Sequence, residues 1–95
     1  MNNKFIKNLK FEIDLQLENY FKFTIESNTE TRLYFKGISL GSILTLRKIS
    51  KSMFLNGLIN DEENKDIQNY IDKAIEEINR EIEKRVAEFD FYNQY

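Results

Sequence analysis

The sequence of 95 residues contains no cysteine, histidine, proline or tryptophan. Without cysteine it can form neither disulfide bonds nor thiol nucleophiles, and without histidine it lacks imidazole bases and Cys/His zinc sites. No apolar run approaches the ~20 residues that a membrane-spanning helix needs, and the first residues lack the apolar core of a signal peptide. We therefore predict a cytoplasmic protein without a membrane partner.

The residues that are present are typical of one globular domain over 1–95, with 41% hydrophobic, 14% aromatic and 32% charged residues. The net charge of -2 conceals separate blocks of charge. Residues 31–60 carry five basic side chains and no acidic one, whereas residues 61–95 carry eleven acidic and five basic side chains. Such blocks either neutralise one another within the fold or form faces that attract oppositely charged partners.

The segment from Leu9 to Ile25 alternates between apolar and polar residues, with eight of its nine odd positions apolar. A period of two predicts a β-strand with one solvated face. A competing helical stripe in the same segment consists of Phe5, Leu9, Ile13, Leu17 and Tyr20. We favour the strand because the helix would leave Phe11, Leu15 and Phe23 on its polar side.

A single strand of this length would be too long for the domain, so the chain must turn. The pairing parity places one turn at 18–20 and a second at 27–30, after which Leu33 and Phe35 continue the apolar face. Glu26 would then lie opposite Arg32 as a favourable cross-strand pair. The prediction is a three-stranded antiparallel β-meander over about 9–36.

Two helices are predicted after the meander. The first spans about 42–56, with Ser39 or Ser42 as its N-cap and Gly57 at its end, although residues 42–50 could also form a fourth strand. The second spans about 61–89, because apolar residues recur there every three or four positions. The predicted fold class is α+β, with the meander packed against a two-helix hairpin whose second helix is long.

The junction between the two helices carries its own signals. Asn60 and Glu63 have the spacing of a capping box, and Gly57 suits a left-handed C-cap. The ten residues 54–63, FLNGLINDEE, resemble the joint of short helical-hairpin domains of the SHOCT type. The resemblance implies two antiparallel helices and implies no activity.

The second helix would be roughly 42 Å long, whereas a globule of this size has a diameter of about 30–35 Å. Its last apolar turns therefore need a cover, as do the aromatic residues after them. The chain's own domain, a second copy and a different protein are three candidates for that cover. We predict that the partner-binding residues are Ile82, Val86, Phe89, Phe91, Tyr92 and Tyr95, together with Glu77 and Glu81 on the acidic face.

No catalytic motif is present, and the carboxylate pair Glu77 and Glu81 is more typical of a solubilising helix face than of a metal site. We therefore predict no enzyme activity, no cofactor and no metal.

The predicted function is binding to another protein by a module that also forms a homodimer. The module would be a small phage or mobile-element inhibitor of a host defence complex, of the anti-CRISPR type. The alternative is a nucleic-acid-binding accessory protein that uses the acid-free segment 31–60. Its candidate contact residues are Arg32, Tyr34, Lys36, Arg47, Lys48 and Lys51.

Overall fold

The computed structural model of the chain describes the backbone of residues 4–24 and 28–93, and the side chains of these residues except 23, 24, 29 and 81–93. It contains three helices, α1 (Lys4–Thr24), α2 (Thr29–Leu55) and α3 (Asp61–Asn93). The described residues contain no strand. The molecule is therefore a three-helix bundle, elongated to 57 × 19 × 18 Å.

The predicted α+β fold class and the β-meander over 9–36 are wrong. The meander segment forms most of α1 and the first turns of α2, and the predicted turn at 18–20 lies inside α1. The first 36 residues contain neither glycine nor proline, so the hairpin turns lack their most favourable residue and nothing interrupts a helix. The predicted cross-strand pair of Glu26 with Arg32 is not tested, because residue 26 lies outside the described residues.

Helix α1 buries Leu9, Ile13 and Tyr20 of the predicted helical stripe and half-buries Leu17, whereas Phe5, the first member of the stripe, is 38% exposed. Ile6, Leu9, Ile13 and Tyr20 are buried, and they recur at intervals of three, four and seven residues. Phe11 is 65% exposed, although the alternating pattern placed it in the core. Solvent exposure of an isolated apolar side chain is common at protein surfaces, so it did not exclude the helix.

Helix α2 begins earlier than the sequence suggested. The side chain of Asn28 caps it, with Oδ1 accepting a hydrogen bond from the Thr31 backbone N–H at 2.8 Å. The predicted helix over 42–56 is confirmed as the second half of α2, and residues 42–50 are helical. Ser39 and Ser42 do not cap a helix, because both lie within α2, where Ser42 donates a hydrogen bond to the Ile38 carbonyl at 3.0 Å.

The junction between α2 and α3 has the predicted geometry. Gly57 has a φ angle of 74°, and the N–H groups of Gly57 and Leu58 bond the carbonyls of Phe54 and Met53 at 3.1 and 2.9 Å. These two bonds form a Schellman motif. Asn60 and Glu63 each accept the other's backbone N–H at 2.8 and 2.9 Å, so the capping box is confirmed. The predicted helix over 61–89 lies within α3.

The positive φ angle of Gly57 leads to a prediction with a matched control. Gly57→Ala should lower the free energy of unfolding by about 1 kcal/mol, because alanine is strained in the left-handed conformation. Gly37→Ala, within α2 where an added Cβ meets no atom within 4 Å of the single chain, should raise the free energy of unfolding of the monomer by about 0.5–1 kcal/mol. Urea denaturation of both variants measures the two shifts, and equal shifts would contradict this account of the junction.

The core lies where the three helices meet. Among the described side chains, the buried apolar ones are Ile6, Leu9, Ile13, Tyr20, Ile43, Ile59, Ile67, Ile71, Ala74 and Ile78. Helix α3 contributes the last four of them. No helix among the described residues combines the length and hydropathy required to cross a membrane.

Candidate partner-binding surface

The contacts between α1 and α3 set the relative position of these two helices. Lys10 Nζ pairs with Asp66 at 2.8 Å, and the Tyr70 hydroxyl donates a hydrogen bond to Asp14. In both pairs the two residues are 56 positions apart in the sequence. The equal separation shows that α1 and α3 run parallel to each other along this contact. The Lys10 ammonium also lies 5.3 Å from the centre of the Tyr70 ring.

The hydrogen bond to Asp14 raises the pKa of Tyr70 from 10.0 to about 12, with smaller contributions from burial and from the negative charges of Asp14 and Glu77. These side chains border a depression of about 210 Å³ between α1 and α3, with Leu17, Lys73 and Ala74. Glu77 therefore lies between α1 and α3, with Asp14 and Lys73 at the same border.

The raised pKa of Tyr70 predicts a loss of stability in alkali. Its pKa is higher in the folded chain than in the unfolded chain, so its contribution is complete below about pH 10 and declines as the pH rises through about 12. Tyr70→Phe removes this contribution. The difference in the free energy of unfolding between the wild type and Tyr70→Phe should therefore shrink as the pH rises from about 10 to about 12. Urea denaturation at a series of pH values measures the difference, and a constant difference would contradict the prediction.

A second polar network joins α2 to α3. Ser50 is fully buried, donates a hydrogen bond to the Arg47 carbonyl at 2.8 Å and accepts one from Gln68 at 2.8 Å. The Arg47 guanidinium donates to Gln68 Oε1 at 3.0 Å and forms an ion pair with Asp72. These bonds satisfy the polar atoms of Ser50 within the bundle. They also fix α2 against α3 with the opposite side of α2 facing solvent.

The structure does not bring the six nucleic-acid candidates together as one basic patch. Arg47 is engaged with Asp72, while Lys48 and Lys51 point to solvent on the outward side of α2. At 100° per residue, Tyr34 lies well away from Arg32 and Lys36 around the helix axis, and these two are only half-exposed.

Most of the predicted partner-binding side chains lie outside the described residues. This holds for Glu81 and for all six apolar candidates, namely Ile82, Val86, Phe89, Phe91, Tyr92 and Tyr95. Of the whole set, only Glu77 has a described side chain, and it is exposed beside Tyr70. The length of the helix is confirmed, since α3 extends to Asn93, but the cover of its last turns stays a prediction.

The outward side of α2 carries a surface that the sequence reasoning missed. Eight exposed residues follow one another at intervals of three and four, the spacing of a helix seam that packs against another helix. This outer seam consists of Glu30, Tyr34, Gly37, Gly41, Leu44, Lys48, Lys51 and Leu55. Tyr34 is 67% exposed and Leu55 is 81% exposed. The seam is acid-free except at Glu30, its first residue.

The shape and hydrogen bonding of the outer seam are compatible with its burial against a partner. Cβ atoms added at Gly37 and Gly41 would meet nothing within 4 Å, so this space is open in the bundle. The exposed hydroxyl of Thr45, beside the seam, already donates a hydrogen bond to the Gly41 carbonyl at 2.9 Å. A partner could therefore cover this side of α2 without leaving the Thr45 donor unpaired.

A signal for the outer seam is present in the sequence. The intervals between Glu30 and Leu55 can be read directly from the residues, but the prediction of strands up to residue 36 removed Glu30 and Tyr34 from the helix. Gly37 and Gly41 then lie between the predicted meander and the predicted helix over 42–56, and not within one helix. Their position on one helix face becomes visible only when α2 begins at Thr29.

No protein-family model, curated protein or solved structure matches the chain. Among the described side chains, no group of three or more carboxylates is placed to hold a metal ion.

Proposed function

We propose that the chain is a non-catalytic protein-binding module that contacts its partner through the outer seam of α2 and the apolar side chains beside it. The observation that carries this proposal is the distribution of exposed apolar residues. Six of the large exposed apolar side chains belong to α2, and the described part of α3 has none. These six are Leu33, Tyr34, Ile38, Leu44, Ile49 and Leu55.

The shape of this surface favours a helical partner. Gly37 and Gly41 leave a shallow region in the middle of the seam, which lets the backbone of another helix approach closely. Leu33 and Ile38 lie on its two flanks and can contact the sides of the approaching helix. Burial of these exposed side chains would provide roughly 25 cal/mol per Å² of apolar area removed from water.

The acidic face of α3 is a less suitable partner-binding surface than the outer seam of α2. Four carboxylates in its described part, those of Asp61, Asp66, Asp72 and Glu76, form ion pairs within the bundle. Asp66 and Asp72 hold α1 and α2 in place, so a partner that binds this acidic face would have to compete with internal contacts. The proposal therefore places any inhibitory contact with a host complex on α2.

A photo-crosslinking amino acid tests this proposal site by site. Incorporated in place of Leu44 in the outer seam, it should form adducts with protein in a lysate of the source cells, and these adducts should resist nuclease. Incorporated in place of Phe11, which is also exposed but lies on α1, it should form few adducts. Both variants carry the same crosslinking group in the same chain, so a difference in adduct yield is due to the surface on which the group lies.

Two results would contradict the proposal. Equal adduct yields from the two positions would show that α2 has no special role in binding. Adducts at position 44 that nuclease removes would show that the partner is nucleic acid, and would favour the alternative function of segment 31–60.

A further inference from the structure

The outer seam has a symmetry that bears on the identity of its partner. From Glu30 to Lys48 the intervals are four, three, four, three and four, and they read the same in both directions. A two-fold axis perpendicular to α2 at the level of residue 39 therefore places the six seam positions from Glu30 to Lys48 opposite one another, and Lys51 and Leu55 lie beyond this contact. A two-fold interface requires this property, because each patch must fit a rotated copy of itself.

The residues that would meet across such an axis are complementary. Glu30 would lie opposite Lys48, Tyr34 opposite Leu44, and Gly37 opposite Gly41, and each pair would occur twice. The ion pairs join opposite charges at the two ends of the contact, and the aromatic ring of Tyr34 packs on an aliphatic side chain. All six residues are exposed in the single chain, although the Tyr34 ring already contacts that of Phe35 at a centroid distance of 5.7 Å.

A parallel orientation of the two copies of α2 is unfavourable. In a parallel pair, Glu30 would face Glu30 and Lys48 would face Lys48, and like charges in contact destabilise an interface. We therefore infer that the protein seated on the outer seam is a second copy of this chain, docked antiparallel with α2 against α2. The inference rests on the proposed function, since it names the partner of the same surface.

The two glycines have a physical role in this arrangement. Each glycine inside a helix costs about 1 kcal/mol relative to alanine, and nothing within 4 Å in the bundle requires the missing Cβ. At the centre of an antiparallel pair, Gly37 and Gly41 allow the closest approach of the two helix backbones. The contact is formed by one helix from each copy, so we expect a dissociation constant in the micromolar range.

Charge reversal tests the arrangement by sedimentation equilibrium. Glu30→Lys alone and Lys48→Glu alone each place like charges at both ends of the contact, so each homodimer should be about tenfold weaker than the wild type. An equimolar mixture of the two variants should restore wild-type affinity, because in the heterodimer a basic side chain again lies opposite an acidic one at each end. Glu12→Lys and Lys7→Glu make the same charge changes on exposed positions of α1 and should leave dimerisation unchanged.

Circular dichroism of each variant checks that the helices are retained. Recovery of the dimer on mixing supports the inference, since it requires these particular residues to face one another. A wild-type chain that stays monomeric up to about 500 µM would overturn it, as would dimers that neither variant weakens or that mixing does not restore. If the chain is monomeric while position 44 still crosslinks to another protein, the proposed function stands and this inference fails.

Discussion

Tyr20→Ala should lower the free energy of unfolding by about 3–5 kcal/mol, the range observed when a buried aromatic side chain is removed from a core. Tyr20 is 1% exposed, and its ring meets Phe21 at a centroid distance of 5.3 Å. A domain of this size has a total stability of about 5–10 kcal/mol, so the variant should be near the limit of folding. Thermal and urea denaturation measure the loss.

The matched variant is Phe11→Ala, which removes an aromatic side chain of similar size from the same helix. Phe11 is 65% exposed, so its loss should change the stability by no more than about 0.5 kcal/mol. The alternating strand makes the reverse prediction, with Phe11 in the core and Tyr20 in a turn. A greater loss for Phe11→Ala than for Tyr20→Ala would therefore contradict the helical bundle.

Ile71→Ala should cost about 2–5 kcal/mol, because it leaves a cavity at the centre of the three helices. Ile71 is completely buried, in a row with Ile67, Ala74 and Ile78 along the inward face of α3. The matched control is Ile49→Ala on α2, where the side chain is exposed and alanine is the better helix former. The midpoint of urea denaturation should be clearly lower for Ile71→Ala than for the wild type, whereas Ile49→Ala should leave it unchanged. The slope of the transition should be the same for all three proteins. Equal losses would contradict the position of the core.

The long third helix was predictable because independent signals agreed on it. The apolar spacing of Ile67, Ile71 and Ile78 indicated a helix, and Asn60 with Glu63 fixed its start. For α1 the signals conflicted, since an alternating and a helical pattern run through the same residues. The alternating pattern has more members, but it depended on the assumption that Phe11 and Leu15 must be buried.

The outer seam was missed at the level of the sequence because its recognition depends on where α2 begins. A helix that starts at 42 contains neither Glu30 nor Tyr34, and it also excludes Gly37 and Gly41, so only the last four residues of the seam belong to it. Helix α2 has exposed and buried apolar residues around most of its circumference, so its apolar pattern alone does not mark one face. The face that remains exposed is determined by the contacts of Arg47 and Ser50 with α3.

The helical state of residues 9–24 and 30–36 is the central claim, because both the bundle and the outer seam require it. Backbone ¹³Cα chemical shifts of the wild-type chain measure this state residue by residue. The account predicts positive secondary shifts through α1, from Leu9 to Thr24, and again from Glu30 to Lys36 at the start of α2. Negative secondary shifts over these residues, with extended-strand values on both sides of 18–20, would contradict it.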